Sequence, residues 1–256
     1  MIRSLITAFQ MYSRIPMPTI EWKPENRRYA LCFFPLVGTV IGVMFMIWEQ
    51  ICARLSVGSF LFGAGALFIT VLVTGGIHLD GFCDTCDARA SWGDKPRRLE
   101  ILSDSHIGAF AAIKLGVYLI LYTALLSESY RTSVVAVIAC GYVLSRSLSG
   151  FAAVTFKAAK IEGSLFDFTS NTHKNVALFV LSFTSATCCC FMLATNVILA
   201  ISSIVAALIT MIYYHHMAYK EFGGVTGDLA GWFLQVCELS VAAAAVVTYR
   251  IMEVIT

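Results

Sequence analysis

Three aspartates, Asp80, Asp84 and Asp87, stand at i, i+4 and i+7 in the stretch Gly75-Gly76-Ile77-His78-Leu79-Asp80-Gly81-Phe82-Cys83-Asp84-Thr85-Cys86-Asp87. On a helix they fall within about 60° of one another on one face. Like charges so placed repel, and no basic residue is interleaved among them. A divalent cation is the simplest partner that makes the arrangement favourable. Carboxylates suit hard Mg²⁺ or Mn²⁺ better than zinc. A solvated acidic helix end is the plain alternative, but the Lys and Glu usual on such a face are missing here. Cys83 and Cys86 form a Cys-x-x-Cys half-site and raise zinc. No second pair stands at finger spacing, so only His78 could join them, and His78 reads better as a hydrogen-bonding neighbour. A short basic loop with Lys95, Arg97 and Arg98 follows, then Leu99-Glu100-Ile101-Leu102-Ser103-Asp104-Ser105-His106-Ile107-Gly108, which offers Asp104 as a further ligand.

A second polar stretch is Glu221-Phe222-Gly223-Gly224-Val225-Thr226-Gly227-Asp228. Its glycines, with Gly224 central, a hydroxyl at Thr226 and a carboxylate at Asp228 suit a loop that cradles phosphate through free backbone N–H groups. The plain alternative is a tight connector whose Asp228 caps the next helix.

The elements that must hold these residues are membrane helices. The 256-residue chain is 58% hydrophobic and 13% charged, with a mean hydropathy of +0.78. That balance describes a single polytopic membrane domain over 1–256, all-α, with no room for a sizeable soluble domain. A net charge of +2 argues against nucleic acid as a partner. The cysteines lie mostly in apolar runs and read as small core or lipid-facing residues in a reduced setting. No signal-peptide pattern follows the start, so the first residues are expected to be retained.

Residues 1–13 suggest a short interfacial helix with Leu5, Ile6, Phe9 and Tyr12 on one side, ended by Arg14-Ile15-Pro16-Met17-Pro18. Seven apolar spans are expected, at about 31–53, broken by Pro35, then 57–77, 108–127, 132–156, 176–194, 196–216 and 229–249. The fifth and sixth are parted by little more than Thr195-Asn196. The uncharged run Val57–Ile77 would cover roughly 31 Å as one helix, the thickness of a bilayer core. If that helix continues, it carries the aspartates out of the membrane. With the N-terminus inside, 1–30, 78–107, 157–175 and 217–228 lie on the cytoplasmic side and hold 13 of the 18 Lys and Arg. The acidic segment 78–107 and the Gly-rich loop 221–228 then share that side, where nucleotides and Mg²⁺ are plentiful. Arg146 and Glu238 fall at matching depths, each about ten residues from the cytoplasmic end of its span. Charges there need partners or a wet cavity, so they read equally as an ion pair or as substrate contacts.

Clustered carboxylates beside arginines at a membrane surface suit a metal-held diphosphate, with the metal orienting attack on phosphorus and Arg97 or Arg98 clamping the leaving group. No Walker loop, Gly-x-Ser-x-Gly, His-Glu-x-x-His or dinucleotide fingerprint competes. The residues alone indicate a membrane transferase using an activated nucleotide substrate, and leave its acceptor unnamed.

The run from Gly75 to Asp87, the Leu99–Gly108 element, Gly223-Gly224-x-Thr226-Gly227-Asp228, Phe34-Pro35-Leu36-Val37-Gly38 and Arg14-Ile15-Pro16 together resemble the cobalamin synthase, or adenosylcobinamide-GDP ribazoletransferase, family. The resemblance runs nearly the whole length, with the motifs in order. Cys83, Cys86, His106 and Ala111 depart from the family's usual residues, and none of these changes removes an aspartate. The resemblance implies an enzyme of the bacterial or archaeal cytoplasmic membrane that depends on Mg²⁺, with Mn²⁺ as a substitute. Its substrates would be adenosylcobinamide-GDP and α-ribazole or its 5′-phosphate, and GMP would leave. On that reading Asp80, Asp84, Asp87 and Asp104 hold metal and are catalytic together with His78, while Arg97, Arg98, Gly224, Thr226, Asp228, Arg146 and Glu238 meet substrate. The oligomeric state, a homo-oligomer included, stays open. A CDP-alcohol phosphotransferase also uses spaced aspartates, but its Asp-x-x-Asp-Gly-x-x-Ala-Arg register is not kept by Asp80-Gly81 and Ala88-Arg89. A divalent-cation transporter would want its carboxylates in mid-span.

Overall fold

The computed structural model describes residues 1–21, 23–104, 106–159 and 164–255. Ser105, inside the second acidic element, and Lys160, counted above with the basic loops, lie outside them. The elements are α1 (Ile2–Tyr12), α2 (Pro24–Arg27), α3 (Ala30–Arg54), α4 (Ser59–Thr74), α5 (Ile77–Ala90), α6 (Lys95–Ile101), α7 (Ala109–Glu128), α8 (Thr132–Thr155), α9 (Ser164–Ser170), α10 (Lys174–Thr195), α11 (Val197–Met217), a π-helical turn Ala218–Phe222, and α12 (Gly227–Ile255). Among the described residues the β pairing is a single bridge, Ala158 to Val225.

Among the described residues, six helices are long and apolar enough to cross a membrane. They are α3, α7, α8, α10, α11 with its π-turn, and α12; a seventh crossing is formed if α4 and α5 count as one bent span. The bundle is built around α8 and α12, the two most enclosed, which α3, α7, α10 and α11 pack around. Large apolar side chains such as Phe60, Phe68, Ile120, Phe179 and Ile212 point outward, as a lipid-facing surface requires.

Three details differ from the sequence expectation. Pro35 does not break its span: it sits in the second turn of α3, where its missing N–H removes one ladder bond and the helix runs on to Arg54. The first helix is no simple interfacial element: α1 packs along α3 and buries Ser4, Thr7, Ala8 and Phe9. The third difference matters for function. The second span does not continue straight into the acidic segment. α4 stops at Thr74, Gly75 and Gly76 take left-handed φ values of 65° and 80°, and α5 leaves at 94° to α4. Only glycine takes two consecutive left-handed conformations without a Cβ penalty, so this sequence turns a corner where its hydropathy alone reads as one rod.

The uncertain boundary at Asn196 is a true break. Asn196 ends α10 and its Oδ1 accepts from the N–H groups of Ile198 and Leu199, capping α11.

Contacts fix which loops share an end. The Arg14 N–H donates to Val73 O, the His173 N–H to Arg28 O, the Val225 N–H to Lys157 O, and Lys95 Nζ to Tyr219 O. All these segments, with α5 and α6, therefore cap one face of the bundle. At the opposite face Thr132 Oγ1 donates to Glu49, and Arg250 pairs with Glu128. The acidic segment and the Gly-rich loop are at the same end, as seven crossings demand.

Candidate active site

α5 presents its acidic residues against the start of α12. The two helices meet at Gly81: a Cβ there would lie 2.8 Å from Asp228 Cα and O, so only glycine permits the crossing. Asp80 and Asp84 flank Gly81 by one residue and by three, which brings them round to Asp228. Burial, and after it the carboxylates of Asp80, Asp228 and Asp87, push the Asp84 carboxyl up to about 7. Two motifs some 140 residues apart in the chain thus converge into one negative cluster.

The cluster opens into a cleft of about 750 Å³. Asp80, Asp84 and Cys83 form one wall, Leu79, Ile107 and Leu115 its apolar side, and the segment from Gln10 to Ile15 the other wall. Among the described residues Arg14 is the one cation lining it, its side chain lying over Gly75. The corner at Gly75-Gly76 therefore positions both the acidic helix and this arginine.

The remaining expected residues are placed as follows. Asp87 turns to the start of α7, where its oxygens accept the N–H groups of Gly108 at 2.6 Å and Ala111 at 2.8 Å. It ties two elements together and complements a helix N-terminus. Asp104 is not brought to the cluster; its carboxylate, exposed, is bonded to His106 through both ring and backbone, which holds it below the usual carboxylate range. His78 is buried on another side of α5, beside Phe34 and the backbone of Gly231, with Nε2 unpartnered. Arg97 is exposed and paired with Glu100. Arg98 faces a different cavity, bonded to Glu221 and to Gly93 O.

The Gly-rich loop packs as a connector, with the Gly224 and Val225 amides engaged. The Gly224 N–H goes to Ala218 O and the Val225 N–H to Lys157 O, and a Cβ at Gly224 would strike Lys157 O at 2.4 Å. The cap of α12 is Thr226, whose Oγ1 accepts from the Leu229 N–H, rather than Asp228. That leaves Asp228 turned toward Asp84. Arg146 and Glu238 form a sealed ion pair at 2.6 Å, 1% and 3% exposed, with Arg146 also donating to Tyr142 O.

Sequence reasoning passed over Arg14 and Arg89 as site residues. Arg14 stood in a motif already noted for the resemblance, but periodicity gives it no role. Arg89 is held by Glu221, 132 residues away, which no local signal marks.

The donor set fits a hard divalent cation. Asp80, Asp84 and Asp228 offer oxygen only, and the Asp84 carboxyl is raised by burial and by its carboxylate neighbours. Among the described residues no three His, Cys, Asp or Glu side chains converge at metal-binding distance. Mg²⁺ needs no such cage, since it is commonly held by one or two carboxylates with waters and substrate phosphates. Zinc fits less well: burial pushes the Cys83 and Cys86 thiols up to about 11, against the thiolate form.

Residues 4–246 match the cobalamin-5-phosphate synthase family. The chain belongs to that family. It is 44% identical over 247 residues to an adenosylcobinamide-GDP ribazoletransferase of Lachnoclostridium phytofermentans, covering 96% of this chain and 94% of that one. It is 31% identical over 241 residues to one of Clostridium botulinum, with 93% and 95% coverage, and 30% over 236 residues to one of Geobacillus thermodenitrificans, with 90% of each chain. No solved structure matches. Family membership removes the CDP-alcohol phosphotransferase reading, and the carboxylates at one end of the bundle do not suit a transport path.

Proposed function

We propose that this chain joins α-ribazole, or its 5′-phosphate, to adenosylcobinamide-GDP and releases GMP, the late step in assembling the nucleotide loop of cobalamin. The observation that carries the reading is the convergence of Asp80 and Asp84 with Asp228 beside a cleft that also holds Arg14, in a chain of this family. Two of the carboxylates Asp80, Asp84 and Asp228 would hold Mg²⁺, or Mn²⁺ in its place, with substrate phosphate oxygens completing its shell. Bound there, the ion would neutralise diphosphate oxygens and polarise the attacked phosphorus.

The chain's own groups do the rest. Arg14 offers a guanidinium to phosphate oxygens from the opposite wall. Leu79, Ile107 and Leu115 keep the inner side of the cleft apolar, which suits a large amphipathic corrinoid and limits water at the reacting phosphorus. Asp87, fixed on the Gly108 and Ala111 amides, locks α5 against α7 so that Asp84 keeps its position. The acceptor hydroxyl attacks the phosphorus on the corrinoid side, and GMP leaves with its own phosphorus untouched.

The cleft faces the cytoplasm in this proposal, because the basic loops cluster at its end of the bundle. In a chain freed of its native cysteines, a cysteine placed at Asp94 should be protected from an impermeant thiol reagent in intact cells, and one at Arg131 should react. For the reaction, membranes carrying the chain receive adenosylcobinamide-GDP labelled at the corrinoid-side phosphorus, α-ribazole and Mg²⁺. The label should appear in the cobamide. Label in GMP would overturn the assignment.

A further inference from the structure

A second cavity, of about 590 Å³, opens on the side of α5 away from the acidic cleft, between α5, the segment before and within α6, the start of α7 and the π-turn. Five cations line it, Arg89, Lys95, Arg98, Lys114 and Lys220, against two carboxylates, Asp94 and Glu221. Both carboxylates are engaged. Asp94 caps α6 by accepting the Arg97 N–H, and Glu221 is gripped by Arg89 at 3.0 and 3.1 Å and by Arg98 at 2.9 Å.

The lysines are left with neutral partners. Lys95 Nζ donates to Tyr219 O at 3.2 Å and Lys114 Nζ to Cys86 O at 3.3 Å, and among the described residues none of the three lysines has an ion pair. Each ammonium has three donors, so the capacity to bind an anion at the cavity remains. The frame is rigid: Arg89 is stacked near Tyr213 and Trp232 as well as held by Glu221. Three separate elements, α6, α7 and the π-turn, thus bring lysines to one cavity with no ion pair of their own among the described residues, an arrangement that an anionic ligand would relieve.

We propose that this cavity is a binding site for a phosphomonoester dianion. The proposal rests on the reaction given above for the source of that group, which is either the 5′-phosphate of the acceptor or the released nucleoside monophosphate. Asp84 and Arg89 stand five residues apart on α5, roughly 7.5 Å of rise, so the two cavities lie along one short helix.

The test uses the full-length chain in phosphatidylcholine nanodiscs and the variant Lys114→Ala/Lys220→Ala, with Lys220→Arg as the conservative control. KM is measured for α-ribazole 5′-phosphate and for α-ribazole, alongside the inhibition constant of GMP. Loss of two charge-assisted contacts should raise the affected constant at least about tenfold. If the acceptor supplies the group, KM rises for the phosphorylated acceptor alone; if the nucleotide does, the GMP constant rises alone. Lys220→Arg alone should leave these constants near their wild-type values. An equal change for both acceptors with GMP unaffected, no change at all, or a defect corrected only by anionic lipid would overturn the proposal. Direct binding of GMP against guanosine, measured without turnover, keeps the site testable by itself: weaker GMP binding in the variant supports it. Should wild-type chain turn over neither acceptor, the reaction assignment would fall, and an unchanged GMP-to-guanosine ratio would then dispose of the site as well.

Discussion

Replacing Glu238 with leucine should do more damage than replacing it together with Arg146. Arg146 is 1% exposed, its Nη1 is bonded to Glu238 Oε1 at 2.6 Å, to Tyr142 O at 2.9 Å and to Ser145 Oγ at 3.4 Å, and its Nε already lacks a partner. Without Glu238 the buried guanidinium keeps two neutral acceptors and no countercharge. Leaving one member of such a pair alone costs about 3–5 kcal/mol, whereas apolar replacement of both is commonly near neutral. For a chain of this size that is a fall of roughly 6–20 °C in the thermal midpoint. Glu238→Leu and Arg146→Met should each show it in detergent, followed by loss of the monodisperse peak on size exclusion after heating. The double variant should recover most of it. Additive losses across the cycle would refute direct coupling and leave each charge with a separate role, substrate contact included.

Other outcomes follow from the same geometry. Asp84→Asn should lower turnover by orders of magnitude with the protein still folded, and added Mg²⁺ should not restore it. Because burial and neighbouring carboxylates raise Asp84 to about 7, proton and metal compete there. Activity at low Mg²⁺ should fall as pH drops below about 7, and raising Mg²⁺ should move that midpoint to lower pH; a midpoint indifferent to Mg²⁺ would count against the site. In the metal-free chain the same raised value gives stability that is present at low pH and lost as pH climbs toward 7, so thermal midpoints should decline over that window. Gly75→Ala should harm activity more than Gly76→Ala. Both positions strain at positive φ, but a Cβ at Gly75 also meets Arg14 Cγ at 2.2 Å while Gly76 faces open space. Cys83→Ala/Cys86→Ala should keep metal dependence on Mg²⁺ and most of the turnover; loss of a bound zinc on elemental analysis would contradict the carboxylate site.

The sequence by itself determined much of this protein. Long uncharged runs cannot be solvated, so hydropathy locates the apolar helices: six stand as single spans among the described residues, and the seventh expected span is the bent pair α4–α5. Basic residues placed the loops on common sides, and the matched depths of Arg146 and Glu238 gave an ion pair as one of two readings, the one the structure forms. What sequence could not decide was anything that depends on direction in space. Hydropathy is scalar, and Val57–Ile77 is equally apolar whether straight or turned at Gly75-Gly76. Periodicity put Asp80, Asp84 and Asp87 on one face, but the α7 amides, 21 and 24 residues further on, took Asp87 and left Asp228 as the third carboxylate of the cluster. The glycines before α12 suggest a phosphate cradle, and a list of residues does not show that the Gly224 and Val225 N–H groups are already bonded. Only packing shows that Gly224 serves its contact with the 157–159 segment, and that Gly81 lets α5 touch α12. Helix-scale facts depend on near neighbours and survive in the sequence, whereas a site drawn from four distant segments exists only once the bundle has closed around it.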